Sequence, residues 1–139
     1  MNVSKKAEYA IKAVISIARY SQNKPLQIGE ISKSESIPVK FLEQILLILK
    51  NNGLLNSKRG ANGGYLLAMS SNDISIGMII EIIDGPFHPL GSETENNLSE
   101  GLKKCFNDLI EMYNNHLNKF TIQDVLENEK NINSMSFEI

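Results

Sequence analysis

Side chains with varied hydrogen-bonding groups follow Pro38 within a short stretch of the sequence. The amide of Gln44 can pair with adenine through two hydrogen bonds, and the carboxylate of Glu43 can accept one from the amino group of cytosine. A lysine suits a phosphate, and a phenylalanine suits the methyl group of thymine. The sequence therefore predicts base and phosphate contacts from six residues: Pro38, Val39, Lys40, Phe41, Glu43 and Gln44. The alternative, a merely solvated face of a surface helix, fits the composition equally well.

A second group is basic and rich in glycine: Lys58-Arg59-Gly60, followed by Gly63 and Gly64. Two cations beside a residue without a side chain let the backbone approach a phosphate or enter a narrow minor groove. The later glycines permit the sharp turn of a hairpin tip. We expect this tip to contact DNA, and an ordinary surface loop is the alternative. Two further candidates for phosphate contacts lie near the N-terminus, Lys5 and Lys6.

The elements around both groups are typical of a winged helix-turn-helix. Apolar residues recur with helical spacing over residues 7–20 and again from residue 28. Pro38 is expected at the first position of a third helix, which ends at Gly53. Strand-like runs follow at 54–58 and 65–68, and a fourth helix is predicted over 76–84. The predicted fold class is mainly α with a small β-hairpin wing, and residues 1–85 form the DNA-binding domain.

The second half of the chain is predicted to contain a long dimerisation helix. Residues 86–97 form a polar loop, and a helix with a wide apolar stripe begins at Leu98. We expect a partner chain to cover this stripe, and packing onto the chain's own core is the alternative. A final short helix completes the unit of residues 98–130, and residues 131–139 are predicted to form a flexible tail. The predicted interface consists of Leu98, Leu102, Cys105, Phe106, Leu109 and Tyr113.

Charge is distributed unevenly along the 139 residues. The net charge of −2 divides into +6 over residues 1–60 and −8 over residues 61–139. This asymmetry indicates a basic module that faces a polyanion, joined to an acidic module with another role. The sequence has no apolar leader, no stretch that could span a membrane and one cysteine, so a reduced, cytoplasmic protein is expected.

Several segments resemble the Rrf2 family of bacterial transcription regulators. The most specific is the predicted wing, KRGANGGYLL at residues 58–67, and the second is IPVKFLEQIL at residues 37–46. Further matching segments lie at residues 6–10, 49–55, 79–85 and 120–125. The resemblance implies a winged-helix homodimer, joined through the long helix and bound to a pseudo-palindromic operator. It also implies that Lys40, Phe41, Glu43, Gln44 and Arg59 face the DNA.

The sequence departs from this family at the position of a cofactor. Many members hold an iron–sulfur cluster through three cysteines in the loop before the long helix, whereas residues 86–97 contain no cysteine. One thiolate per chain cannot supply the ligands of such a cluster, so no iron–sulfur cluster is expected. The family also has members without a cluster, one of them regulated through a partner enzyme. A protein or small-molecule effector therefore remains open, and its identity is unknown.

Three residues form a candidate mixed metal site. Glu8 matches the position of a carboxylate ligand in some relatives, His88 lies in the former cluster loop, and Cys105 follows it. The alternative, which we favour, is a surface glutamate, a loop histidine and a packed cysteine, with no metal bound.

Catalysis is not expected. Cys105 and His116 are separated by about 16 Å of helix, too far for a nucleophile and its base. No phosphate-binding loop occurs either. The sequence instead predicts a DNA-binding regulator, a repressor acting as a homodimer, and a winged-helix protein-interaction module is the rival interpretation.

Overall fold

The computed structural model describes residues 2–20, 24–90 and 97–137. It is mainly helical with one antiparallel hairpin, which confirms the predicted fold class. Three helices come first, then the hairpin, then three more helices. In chain order the elements are α1 (Lys5–Tyr20), α2 (Ile28–Glu35), α3 (Val39–Asn51), β1 (Leu55–Lys58), β2 (Gly64–Leu67), α4 (Ile76–Asp84), α5 (Glu100–Lys119) and α6 (Ile122–Phe137).

The core lies between α1 and α3, with α2, α4 and the start of α6 closing its sides. The two helices carry apolar side chains at helical spacing, and all of these are fully or almost fully buried. Small alanines on α1 let the helix axes come close, while branched residues on α3 fill the space between them. The buried residues are Ala10, Ala13, Val14 and Ile17 on α1 and Leu42, Ile45, Leu46 and Leu49 on α3.

The hairpin is extended by a third short segment from the chain before α2. Strands β1 and β2 pair from Leu55 opposite Leu67 to Lys58 opposite Gly64. On the other side of β2, Tyr65 and Leu26 exchange both backbone hydrogen bonds, at 2.8 and 3.0 Å. The hairpin is therefore attached to the segment that leads into α2.

A small polar junction joins α4 to the last two helices. The Ser75 hydroxyl accepts from the Met78 amide at 3.0 Å and donates to Asn118 Oδ1 at 3.1 Å. The Ile76 amide donates to the Phe120 carbonyl, and the Ile122 amide donates to the Ile74 carbonyl, both at 2.8 Å. Gly77 is essential to this fit, because a Cβ there would lie 2.7 Å from Asn118 Oδ1. The C-terminal end of α5 is thereby fixed against the first turn of α4.

Two predicted boundaries in the second half were wrong. The long helix begins at Glu100, because Ser99 caps it, so Leu98 precedes the helix. The last helix has 16 residues and continues to Phe137, where a short helix and a tail from residue 131 were predicted. No glycine or proline interrupts residues 122–137, so nothing in the local sequence stops this helix. Within the predicted loop, residues 91–96 lie outside the described part. None of the helices described is long and apolar enough to cross a membrane.

Candidate DNA-binding surface

The turn between α2 and α3 is held by its own backbone and by one serine. Ser36 ends α2 in the left-handed conformation, with φ 54° and ψ 45°. The Ile37 amide donates to the Ser32 carbonyl at 3.1 Å, and the Ser32 hydroxyl donates to the Ile37 carbonyl at 2.6 Å. Ile37 is buried in the core, while Pro38 is the residue just before the helix instead of its first position. These contacts therefore fix the orientation of the first turn of α3 relative to α2 and the core.

All six residues predicted at the start of α3 are exposed. Pro38, Val39 and Lys40 lie at its beginning, and Phe41, Glu43 and Gln44 follow within the next turn. Among the described residues, Lys40, Glu43 and Gln44 have no hydrogen-bond or ion-pair partner, so their polar groups are available to a ligand. Leu42, between them in the sequence, and Ile45, just after them, point into the core.

The same face contains an exposed leucine that was not predicted. Leu47 is 56% exposed and lies three residues after Gln44 and four after Glu43. Phe41 is 58% exposed, so this helix presents two large apolar groups together with its polar ones. In the sequence, Leu47 belongs to a run of apolar residues that is typical of a buried segment. Only its helical spacing from Glu43 and Gln44 indicates that it lies on their exposed face.

The tip of the hairpin, residues 58–64, is built by glycines and presents two cations. Gly60 has φ 103°, and its carbonyl accepts from the Gly63 amide at 2.9 Å, which closes the turn. A Cβ on Gly63 would lie 2.3 Å from the Lys58 carbonyl oxygen, so the turn excludes any side chain there. Lys58 and Arg59 are exposed, and neither has a partner within the described residues.

Two contacts attach this tip to the start of α2. Gly64 has φ 143°, and a Cβ on it would lie 2.5 Å from the Leu26 carbonyl oxygen, so the two backbones meet without an intervening side chain. The Gln27 side-chain amide donates to the Ala61 carbonyl at 2.9 Å. The Gln27 backbone amide, in turn, donates to the Glu30 carboxylate at 3.0 Å. Gln27 was not predicted, since its role depends on a residue 34 positions away.

The start of α1 presents one unpaired lysine of the two predicted. Lys5 and Lys12 form ion pairs with Glu8 at 3.1 and 3.0 Å. Hydrogen bonds from Lys12 and Lys5 hold the pKa of the Glu8 carboxyl below its usual value. Lys6 is exposed and has no partner in the described part, so Lys6 is better placed for a phosphate than Lys5.

The candidate mixed metal site is not assembled within the chain. Glu8 is engaged by two lysines, His88 lies beside α5 in a cleft, and Cys105 is exposed on α5. No three His, Cys, Asp or Glu side chains come together in residues 2–20, 24–90 and 97–137 in a way that could hold a metal ion.

The apolar stripe of α5 divides into an outer and an inner half. The outer half includes Leu102 and Leu109, both 44% exposed, and Met112, which is 69% exposed, with Cys105 on the same side. In the inner half, the Tyr113 ring stacks on Phe87 with ring centroids 3.9 Å apart. Phe106, also in the inner half, and Leu98, just before α5, line a small cavity of about 210 Å³. Of the six predicted interface residues, Leu102 and Cys105 lie outward, and Leu98, Phe106 and Tyr113 face their own chain. Leu109 does both, since it is 44% exposed and also lines a cleft beside α4.

Comparison with known proteins places this architecture among bacterial regulators. The profile of the Rrf2 family, described as an iron-dependent transcriptional regulator, matches residues 3–128. The transcriptional regulator IscR of Pectobacterium atrosepticum is 30% identical over 138 residues, which is 96% of this chain and 84% of that protein. The structure of CymR, the global cysteine regulator of B. subtilis, superposes with a TM-score of 0.79 at 26% identity and covers 90% of this chain and 95% of its own. That of T. potens IscR gives 0.74 at 28% identity and covers 93% and 88%.

Proposed function

Because the chain belongs to the Rrf2 family of transcriptional regulators, which bind DNA through a winged helix, we propose that it binds one specific DNA sequence through α3 and the hairpin tip. The observation that carries this proposal is the exposed start of α3, whose polar side chains have no partner among the described residues. Such groups can bond to base edges without first breaking a bond in the protein. The relatives are regulators and not enzymes, and no catalysis is proposed.

The chemistry of α3 suits the major groove. Gln44 pairs with adenine and Glu43 accepts from cytosine, while Lys40 lies at the rim, where phosphates pass. Phe41 and Leu47 supply apolar surface for thymine methyl groups. This combination favours a site in which A·T pairs flank a G·C pair.

The hairpin tip and α1 suit the DNA backbone. Lys58 and Arg59 are cations on a glycine turn, and a narrow groove or a phosphate can approach the backbone at Gly60. Lys6 adds a third cation at the start of α1. These contacts fix the orientation of the protein on the duplex, while α3 provides the sequence specificity.

The outer half of the α5 stripe supports the proposal of a homodimer. Leu102, Leu109 and Met112 form an exposed apolar row on one helix face, and an antiparallel copy of the same helix is the simplest cover. A two-fold axis through α5 presents two copies of α3 to successive major grooves, so the operator is pseudo-palindromic. We propose that occupation of such a site within a promoter blocks transcription, so that the protein acts as a repressor.

The regulator works without an iron–sulfur cluster. Although the family profile is described as iron-dependent, a cluster requires several thiolates, and the whole sequence contains one cysteine. That cysteine lies on the outer face of α5. The donor set therefore does not fit the cofactor, and we propose that DNA binding is independent of it.

The test is selection of the bound sequence from random DNA, followed by a salt series. We expect a symmetric consensus and an affinity that falls steeply as salt rises, because counterions are released from the phosphates. Arg59→Ala should reduce the slope of log affinity against log salt by about one. Lys130→Ala, an equal loss of charge on α6, serves as the control and should leave the slope unchanged. An Arg59→Ala slope equal to that of the wild type would contradict the proposal and favour a protein-interaction module.

A further inference from the structure

A cleft of about 570 Å³ lies between the C-terminal half of α4, the start of the following loop and α5. This volume is in the range of sites that hold small organic molecules. Its apolar wall includes Ile80, Leu109 and Leu117, and the stacked rings of Phe87 and Tyr113 form one side. The cleft is separate from the surface proposed for DNA, since no residue of α3 or of the hairpin lines it.

The lining of the cleft contains two carboxylates and one histidine, His88. Glu81 and Asp84 lie one turn apart on α4, and no lysine or arginine is among the described residues that line it. Ser4 donates to Asp84 through both its amide and its hydroxyl, whereas the Glu81 carboxylate has no partner in the described part. The cleft also lies at the C-terminal end of α4, where the unpaired carbonyls carry partial negative charge and no basic residue offsets them.

We propose that this cleft binds a flat organic cation with an aromatic body. Two carboxylates and the C-terminal end of a helix favour positive charge at one place, and the aromatic rings of Phe87 and Tyr113 line the same cleft. The apolar wall suits the body of such a ligand, and the amides of Asn114 and Asn118 at the rim can bond to its polar substituents. Asn2 and Val3 also line the cleft, so a bound cation lies directly against the segment that leads into α1.

The test compares two fluorescent tricyclic dyes of similar size and opposite charge with the full-length protein in the absence of DNA. Pyronin Y is a cation and resorufin is an anion. We expect pyronin Y to bind at one site with an affinity at least about tenfold higher than that of resorufin. Equal affinities, or no saturable binding of pyronin Y up to its solubility limit, would overturn the proposal.

Two variants locate the site. Glu81→Gln removes the unpaired charge with little change in shape and should weaken pyronin Y about fivefold. Glu111→Gln makes the same change on α5 outside the cleft and should have no effect. An unchanged affinity in Glu81→Gln, or equal losses in the two variants, would show that the dye binds the acidic surface in general and would refute the assignment. Neither measurement involves DNA, so its failure is distinguishable from failure of the proposed function.

Discussion

Gly64 shows how a single residue controls the hairpin. Its backbone occupies a region that L side chains rarely adopt, and the Leu26 carbonyl fills the space where a Cβ would be. We predict that Gly64→Ala lowers the free energy of unfolding by about 2 kcal/mol or more, because strain and a steric clash add together. Urea denaturation followed by circular dichroism measures the change.

Gly29 provides the control for this prediction. It lies in α2, and a Cβ at this position would have nothing within 4 Å, so Gly29→Ala should be neutral or stabilise the helix by up to about 1 kcal/mol. Equal effects of the two substitutions would show that the contact between Gly64 and Leu26 has no special role.

Glu8 gives a prediction about pH. Its carboxyl pKa is lowered in the folded protein by Lys12 and Lys5, so its contribution to stability is present above the pKa of the unfolded chain. This contribution is lost as the pH falls through the lowered pKa of the folded protein. We expect Glu8→Gln to lower the melting temperature at neutral pH, and the difference from wild type to disappear in acid.

Glu43→Gln is the matched change for this experiment, because Glu43 is exposed on α3 and has no ion-pair partner among the described residues. Its melting temperature should follow that of the wild type at every pH. A Glu8→Gln difference that persisted in acid, after the carboxyl has become protonated, would assign the effect to packing instead of charge.

At the scale of the element, α5 packs on its own chain and, in the proposed dimer, also on a partner. Its inner half stacks on Phe87, and its outer half presents Leu102, Leu109 and Met112. We predict that Leu109→Glu destabilises the dimer by about 3 kcal/mol, since a carboxylate enters an apolar interface. Analytical ultracentrifugation over a concentration series measures this. Ile132→Glu, at an exposed site on α6, should remain a dimer.

The sequence predicted these elements well where one periodic pattern was sufficient. Leu42, Ile45, Leu46 and Leu49 have the spacing of one helix face, and all four are buried, although α3 begins one residue later than predicted. The sequence pattern was less informative where two distant parts of the chain meet. The division of the α5 stripe depends on the contact with Phe87, and the hydrogen bond from Gln27 depends on the position of Ala61. The length of α6 was missed for a different reason, since polar residues near a terminus are equally compatible with a helix and with a frayed tail.

At the scale of the whole molecule, the absence of a cluster-binding set of cysteines predicts insensitivity to iron. We expect the affinity for the selected DNA to be the same with a chelator as after anaerobic incubation with iron and sulfide. Cys105→Ser should bind DNA as the wild type does, because Cys105 lies on α5 and not on the DNA-binding surface. A visible absorption band after reconstitution, with a change in affinity that Cys105→Ser abolishes, would contradict this.

The uneven charge also acts on the whole molecule. Residues 1–60 carry +6 and include α1, α3 and the hairpin's two cations, while the remaining residues carry −8. A molecule with this distribution approaches a polyanion with its basic part first, although its net charge is negative. The acidic part keeps α5 and α6 away from the phosphates.

The attachment of the hairpin to the segment before α2 has a thermodynamic consequence. Loops that touch DNA often become ordered only on binding, and each immobilised side chain or loop residue then costs conformational entropy. Here the Leu26–Tyr65 bridge and the bond from Gln27 to Ala61 already hold the tip in place in the free protein. Binding therefore has to restrict little more than the long side chains of Lys58 and Arg59. Because no loop has to become ordered, less conformational entropy is lost on binding and the affinity for DNA is higher.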